Sequence, residues 1–567
     1  MEQEEALLTE KPYRVRRRTV CYCLLFIVFV ILQAVRGIDI EDTLYAVGNY
    51  EFFDSMEGSW KYATLLSNLL GRGIFLLTGG KLLWMNILSA LIPAGVCIFI
   101  LLAMKNRLQE ELLTLCLLAA LGLCWCPKLI IYQYSGWLVP DVAAVLLYHG
   151  MMRKDRRLLF GAGALLGFMF FARVSNAVHC ALILYVIYDD LRWKRAKELP
   201  ADLGICVGGY AAGLALALVP LLISGGIPAL TGMADWIAGL LSGSGQGGYS
   251  LGEMLSNILD NYLMHVKWLL GVLAGTALGI LMFSILPGKL EMLKRIVFCG
   301  GMALLVIWFI RSGLFDLRYY GYSSMVHVAV LFILLTAVAD LYVLFYRKAH
   351  ASECSLALLS LILILITPLG SNNHIYACIN NMFVFLPFGL GALMGTLREE
   401  KRKEIWSYPV ICMGSGLAAL LLLQSMGFGL CYSFNDGEDG SPMDSMFTEG
   451  RLQGVFTTEK NHETVSALEK ALEGKEGKLM VWGNAPGLHY ISGMDPAVTN
   501  LWPDLDSYPA EELKASLEAL EGPAVFVIKE DTEKTEEKAA FVFEYMEREG
   551  FEKNGMAAGY EIYEVKR

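Results

Sequence analysis

The sequence predicts a polytopic α-helical membrane protein of about 13 transmembrane helices that carries a C-terminal extracytoplasmic α/β domain. Three observations carry this expectation. Long apolar stretches fill about the first 425 residues; a hydrocarbon core about 30 Å thick takes roughly 20 apolar helical residues to cross, and a helix satisfies its own backbone there. The basic clusters between those stretches fall, with few exceptions, on alternate loops. The segment from Arg451 to Arg567 holds 13 Lys+Arg and 23 Asp+Glu, so the formal net charge of −10 belongs to it and the remainder is balanced.

Composition agrees. With 55% hydrophobic residues, only 18% charged and a mean hydropathy of +0.49, the chain is too apolar for a soluble protein of this length. The acidic tail argues against nucleic acid as a partner. All 13 cysteines lie at or before Cys431, most of them inside apolar runs, and no metal-ligand spacing emerges; the Cys21/Cys23 and Cys124/Cys126 pairs have no nearby histidine. A tail without cysteine, if external, holds together without disulfides, as bacterial surface domains often do.

The apolar runs centre near residues 19–36, 82–104, 110–126, 137–152, 158–172, 174–190, 203–223, 268–287, 296–310, 325–346, 355–370, 380–397 and 407–426. Arg14, Arg16, Arg17 and Arg18 precede the first run without a small-residue cleavage site after it, so it reads as an uncleaved span. The clusters Lys105/Arg107, Arg153 to Arg157, Arg192 to Lys197, Lys289 to Arg295, Arg347/Lys348 and Arg398 to Lys403 all fall on the side of the amino terminus, which the positive-inside rule makes cytoplasmic. An odd number of crossings then puts the carboxy terminus outside. The expected domains are a cytoplasmic segment 1–18, a membrane domain 19–428 with an external loop 37–81, and an external α/β domain 429–567. A second external segment spans residues 224–267, and its Gly/Ser stretch 241–248 reads as a linker or a mobile lid. Trp60 to Leu70 reads as a helix lying in the interface. In the tail, Lys478–Gly483, Ala524–Ile528 and Tyr560–Val565 read as strands, and Ala510–Glu521 and Glu533–Glu549 as amphipathic helices.

The external loops hold the candidate chemistry. Asp39, Glu41 and Asp42 follow the first span closely, with Tyr45 after them. Carboxylates at a low-dielectric boundary have raised proton affinity and can serve as a general base or bind a cation; the plain alternative is that Asp39 or Asp42 caps the following helix. Asp141 after Pro140 opens the fourth span at the outer surface, as an intramembrane carboxylate or as a cap. Arg173 occupies an outer turn where the positive-inside rule disfavours it, which suits reading an anion such as phosphate. Lys128, Arg311, Arg318, Tyr319, Tyr320 and the Ser371-Asn372-Asn373-His374 turn complete the polar outer face; a lone histidine in a turn is more often a surface residue than a ligand.

These features together resemble the GT-C superfamily of membrane glycosyltransferases, with the protein O-mannosyltransferase and aminoarabinose transferase branches most similar in layout. The resemblance rests on an acidic motif ending in tyrosine after span 1, an aspartate at the head of span 4, a Gly-rich fifth helix ending in arginine, and an external C-terminal domain. It implies inverting transfer of a sugar from a polyprenyl-phosphate donor, in the plane of the membrane lipid, to an acceptor glycan, lipid or protein. Carried over, Glu41 and Asp42 are the catalytic pair, with Asp42 the favoured base. Tyr45 matches the tyrosine that follows the pair, Asp141 the later aspartate and Arg173 the basic residue near the donor phosphate; beside the resemblance, Asp39, Arg318 and His374 on the same face are expected to help bind substrate or phosphate. Relatives differ in their use of divalent ions, which the three acidic residues permit without requiring. The branches carry Asp-Glu where this chain has Glu41-Asp42. The rival expectations are a flippase or transporter for lipid-linked saccharide, a polysaccharide polymerase or ligase, and a non-catalytic surface-anchored binding protein.

Overall fold

A computed structural model describes residues 16–565 except 58–60, 63, 130–131, 243–250, 322, 347, 370–374, 400–407, 438–439 and 506–507. The chain is predominantly helical up to Cys431 and ends in a small mixed domain. Among the described residues seven helices are long and apolar enough to cross a membrane: Arg17–Ala34, Leu82–Met104, Leu199–Asp235, Gly252–Ile285, Gly288–Arg311, Ser323–Phe345 and Tyr408–Cys431. Leu65–Thr78, Ala351–Ile366 and Met382–Arg398 are apolar but shorter. The expected 13 spans therefore exceed what helix length alone supports.

Two local expectations change. Residues 224–267 are not a long loop: the helix from Leu199 runs on to Ser242 across a kink at Gly226, whose φ of +64° only glycine adopts without strain, and a second helix starts at Leu251. The apolar residues Ile227, Leu230 and Met233 keep helical spacing beyond the kink, which is why the chain stays helical there. The Gly/Ser stretch lies mostly outside the described residues. The turn at Arg173 is flanked by 3-10 segments, Met169–Ala172 and Val174–Ile183, instead of two continuous α-helices.

Close helix packing is set by small residues. Gly163 and Gly167 on the helix Arg156–Phe168 meet Gly209 and Gly213 on Leu199–Ser242, and a Cβ at any of the four stands 2.0 to 2.2 Å from a backbone oxygen of the facing helix. Paired small-xxx-small spacings are how helices approach when lipid supplies no hydrophobic drive. Gly167→Val is expected to separate this pair and expose Cys206, which is fully buried beside it. Thiol labelling in membranes measures this; an unchanged rate refutes the packing argument.

The tail is a small α/β domain, as expected, with several further elements. β1 (Ser445–Met446) and β2 (Phe456–Thr457) form a short hairpin-like pair. β3 (Lys478–Trp482), β4 (Ala524–Lys529), β5 (Phe551–Ala557) and β6 (Tyr560–Val565) form one sheet in the order β3-β4-β6-β5, parallel between β3 and β4 and antiparallel elsewhere. The β1–β2 pair, the helices Glu459–Leu472 and Leu488–Ser492 and strand β5 were not anticipated. Met480, Trp482, Phe526 and Ile528 face the helices Ala510–Glu518 and Glu537–Glu549. Leu479, Val481, Val525 and Val527 belong instead to the core continuous with the membrane helices. A sheet covered on both faces explains why β3 and β4 read as unbroken apolar runs.

Docking of the tail starts at the backbone. Gly37 N donates to Phe456 O at 2.8 Å and Phe456 N to Val35 O at 2.9 Å, so the exit of the first helix pairs with β2. Gly37 has φ +92°, and a Cβ there stands 2.9 Å from Ser433 Cβ, so glycine is needed twice over.

Candidate functional site

The acidic motif sits where the first helix, the loop 124–129 and the tail converge. Asp39 is 4% exposed, and its carboxylate accepts from Glu41 N (3.1 Å), Thr43 N (2.8 Å), Thr43 Oγ1 (2.9 Å) and Asn435 Nδ2 (3.3 Å). It satisfies backbone donors at the start of the helix Asp42–Glu51, the capping alternative read from the sequence, and its lone pairs are committed to structure. Burial pushes its pKa up while these donors pull it back.

Glu41 and Asp42 differ. Asp42 is exposed by surface area, yet its surroundings are dense enough that desolvation, with the charge of Asp39, raises its pKa to about 6. Glu41, half-buried, is pushed up to about 7, first by desolvation and then by Asp39 and Asp42, with Lys529 of the tail opposing. Neighbours in sequence thus serve two sides: Asp42 acts on Cys126 of the loop 124–129, and Glu41 on Lys529 and Tyr560 of the tail.

Cys126 marks a meeting of charges. Its thiol feels Lys128, Asp42 and Arg173 together, so the structure brings the predicted Arg173 to the same side as Asp42. Beneath the motif a cavity is lined by Arg36, Asp39, Asn86, Lys128 and Ser433, among others. Arg36 Nη1 and Nη2 donate to Leu32 O and Gly429 O, at 3.1 and 2.6 Å, capping two helix ends. Arg36 Nε, Asn86 Oδ1 and Ser433 Oγ are buried with no partner among the described residues. Burial lowers the pKa of both Arg36 and Lys128. Two desolvated cations, facing a cavity in which Asp39 is the one carboxylate, suit an anion.

Tyr45 lies on the same helix, one turn on, and its hydroxyl donates to Asn500 Oδ1 of the tail at 3.1 Å while its ring meets Trp502 edge-on at 5.5 Å. Asp141 needs a correction. Its helix begins at Tyr132, so it lies about 14 Å along the helix at 1.5 Å per residue and does not open the span. It is fully buried, and with the Asn381 amide oriented to satisfy both neighbours, Asn381 Nδ2 donates to Asp141 Oδ2 at 2.9 Å and its oxygen accepts from Thr367 Oγ1 at 3.0 Å. The preceding Asn380 accepts from Trp125 N at 2.9 Å, next to the cavity-lining Cys126, so Asp141 supports the site from below. Arg318 stays solvent-exposed on Asp316, with no contact to residues 39–45 among the described residues. His374 and the neighbouring Ser371, Asn372 and Asn373 lie outside the described residues.

Sequence reasoning missed Arg36, Asp436, Asp504, Lys529 and Tyr560. Arg36 carried a signal: like Arg173 it is a cation at the end of a span opposite the basic loops. The tail residues carried none, because their role depends on docking. Among the described residues no group of three His, Cys, Asp or Glu side chains could hold a metal ion. No protein-family model matches the chain, and no curated protein matches it.

Proposed function

We propose that the chain is a glycosyltransferase that moves a sugar from a polyprenyl-phosphate donor to an acceptor hydroxyl on the outer face of the membrane. The observation that carries this reading is the exposed Asp42, which acts on Cys126 together with Lys128 and Arg173, next to a cavity that Cys126, Lys128 and Arg36 line. A base beside clustered cations at the membrane boundary meets the two demands of the reaction. Asp42 takes the proton of the acceptor hydroxyl as its oxygen bonds to the anomeric carbon. The bond from that carbon to the phosphate oxygen breaks, and the leaving polyprenyl phosphate takes the electron pair. Arg173 with Lys128 and Arg36 stabilises that charge, which grows in the transition state and is worth more in a low-dielectric site than in water. Displacement from the opposite face inverts the anomeric configuration.

Purified protein incubated with a labelled polyprenyl-phosphate sugar and a membrane extract tests the reading: label must appear in a product other than the donor. A reporter fused after Arg567 tests the sidedness, and a cytoplasmic signal there contradicts an outer-face site. Transport is the second reading, favoured by the fully buried carboxylates Asp141 and Asp340 inside apolar helices. It predicts movement of the labelled donor across a vesicle membrane with no new product.

A further inference from the structure

The tail contributes its own half of a binding site. Gly483 follows β3 and Lys529 ends β4, so these are the carboxyl ends of adjacent parallel strands, where open α/β sheets bind ligands. They face the first loop. Gly487 N donates to Ile40 O at 2.8 Å, and a Cβ on Gly487 stands 2.4 Å from Leu44 Cβ, so the turn after β3 lies directly on the acidic motif. Gly483, with φ +111°, lets Lys529 and the Tyr560 ring close over that turn, the nearest Tyr560 atom being 3.3 Å from where its Cβ would lie.

Around this junction stand polar groups with unspent hydrogen-bonding capacity. Tyr560 is 7% exposed, yet its hydroxyl has no hydrogen-bond partner among the described residues, and Glu41 and Asp504 both act on it electrostatically. Asp504 leans on the Gly483 backbone and the Trp502 side chain, and its Oδ1 is buried with no partner among the described residues. Asn500, 1% exposed, spends its oxygen on Tyr45 Oη and Trp502 N, leaving Nδ2 buried with no partner among the described residues. Trp502, partly exposed, sets an apolar plane against Tyr45. The loop holding Asp504 is braced by Lys538 Nζ, which donates to Pro503 O, Leu505 O and Tyr508 O at 3.3, 2.6 and 3.2 Å.

We propose that Glu41 from the first loop, with Asp504, Lys529, Tyr560 and the Tyr45–Trp502 pair, forms a subsite for a neutral carbohydrate, completed by docking of the C-terminal domain. Carboxylates and a phenol suit vicinal hydroxyls, which donate and accept, while an aromatic face covers the apolar side of a sugar ring. A phosphorylated ligand is disfavoured, because the carboxylates Glu41 and Asp504 outnumber the single lysine of the subsite. That this carbohydrate is the acceptor rests on the transferase reading; that it binds does not.

Binding of a panel of neutral oligosaccharides, tetrasaccharides of glucose, mannose and N-acetylglucosamine among them, to the full chain in nanodiscs tests this by titration calorimetry. At least one is expected to bind, and Tyr560→Phe, which keeps the packed ring, and Asp504→Asn are each expected to weaken it about fivefold, as loss of one hydrogen bond does. No binding across the panel overturns the proposal, as does equal binding by both variants or preference for serine- and threonine-bearing peptides. In the transfer assay Tyr560→Phe is expected to raise KM for the acceptor and leave that for the donor unchanged. Binding that follows the expectation in a protein that never consumes labelled donor removes the transferase reading alone.

Discussion

Replacing Asp42 by Asn is expected to lower sugar transfer by about 10²–10⁴-fold, the contribution of a positioned general base, while the protein stays folded in the membrane. Asp42 is the most exposed of the three acidic residues, and Asn has nearly the same shape. Glu41→Gln is the comparison, since its carboxylate feels Lys529 of the tail and reports on the proposed acceptor side. Transfer should rise with pH as Asp42 ionises near about 6, and the Asp42→Asn variant should lose that limb. Stability runs the other way. The folded pKa of Asp42 is raised from 3.8 to about 6 and that of Glu41 from 4.5 to about 7, so the folded state binds more protons than the unfolded chain in between. Stability from these groups is therefore greatest below about pH 4 and falls as pH rises to about 7. Asp42→Asn removes the penalty, and its Tm should match or exceed that of the natural chain at pH 8. Undiminished transfer by this variant sinks the assignment of the base.

Asp436→Ala is expected to have the largest structural effect. Asp436 is 3% exposed, and its carboxylate accepts from Ile38 N (3.0 Å), Thr457 Oγ1 (2.6 Å), Thr458 N (3.2 Å) and Thr458 Oγ1 (2.9 Å). It ties the first loop, β2 and the start of the helix Glu459–Leu472 into one junction. Truncation strands four buried donors and should cost about 3–5 kcal/mol, the range for removing one partner of a buried charged network. The cost should appear as undocking of the tail: protease cleavage between residues 431 and 459 and loss of transfer, with the membrane helices still folded. Asp436→Asn, which keeps one acceptor oxygen, should fall between. Resistance to protease equal to the natural chain refutes the clamp.

Much of this was legible beforehand, and the reasons are local. Apolar runs with basic flanks identify helices because the membrane penalises unpaired backbone and charge, so Arg17–Ala34, Leu82–Met104 and Ser323–Phe345 lie near their expected bounds. β3, β4 and β6 were readable from β-branched and alternating patterns. Misreadings arose where local signals compete. Gly225 and Gly226 with Pro228 resemble a loop, yet the apolar residues on both sides carry the helix through. Pro140 looked like the start of a helix and lies inside one.

The chemistry divides along the same line. Residues that are expensive to keep were visible along the chain, three carboxylates and a tyrosine after the first helix and Arg173 away from the basic loops, because charge beside apolar surface stands out in one dimension. Their tasks come from the packing. Asp39 became a cap because Thr43 and Asn435 converge on it, Asp141 a buried partner of Asn381, and Glu41 a neighbour of Lys529 and Tyr560, whose positions lie some 490 or more residues away along the chain. Pairings at such separation leave no periodicity to read. They exist because the tail sheet buries one face against the membrane core and so carries its strand ends onto the first loop.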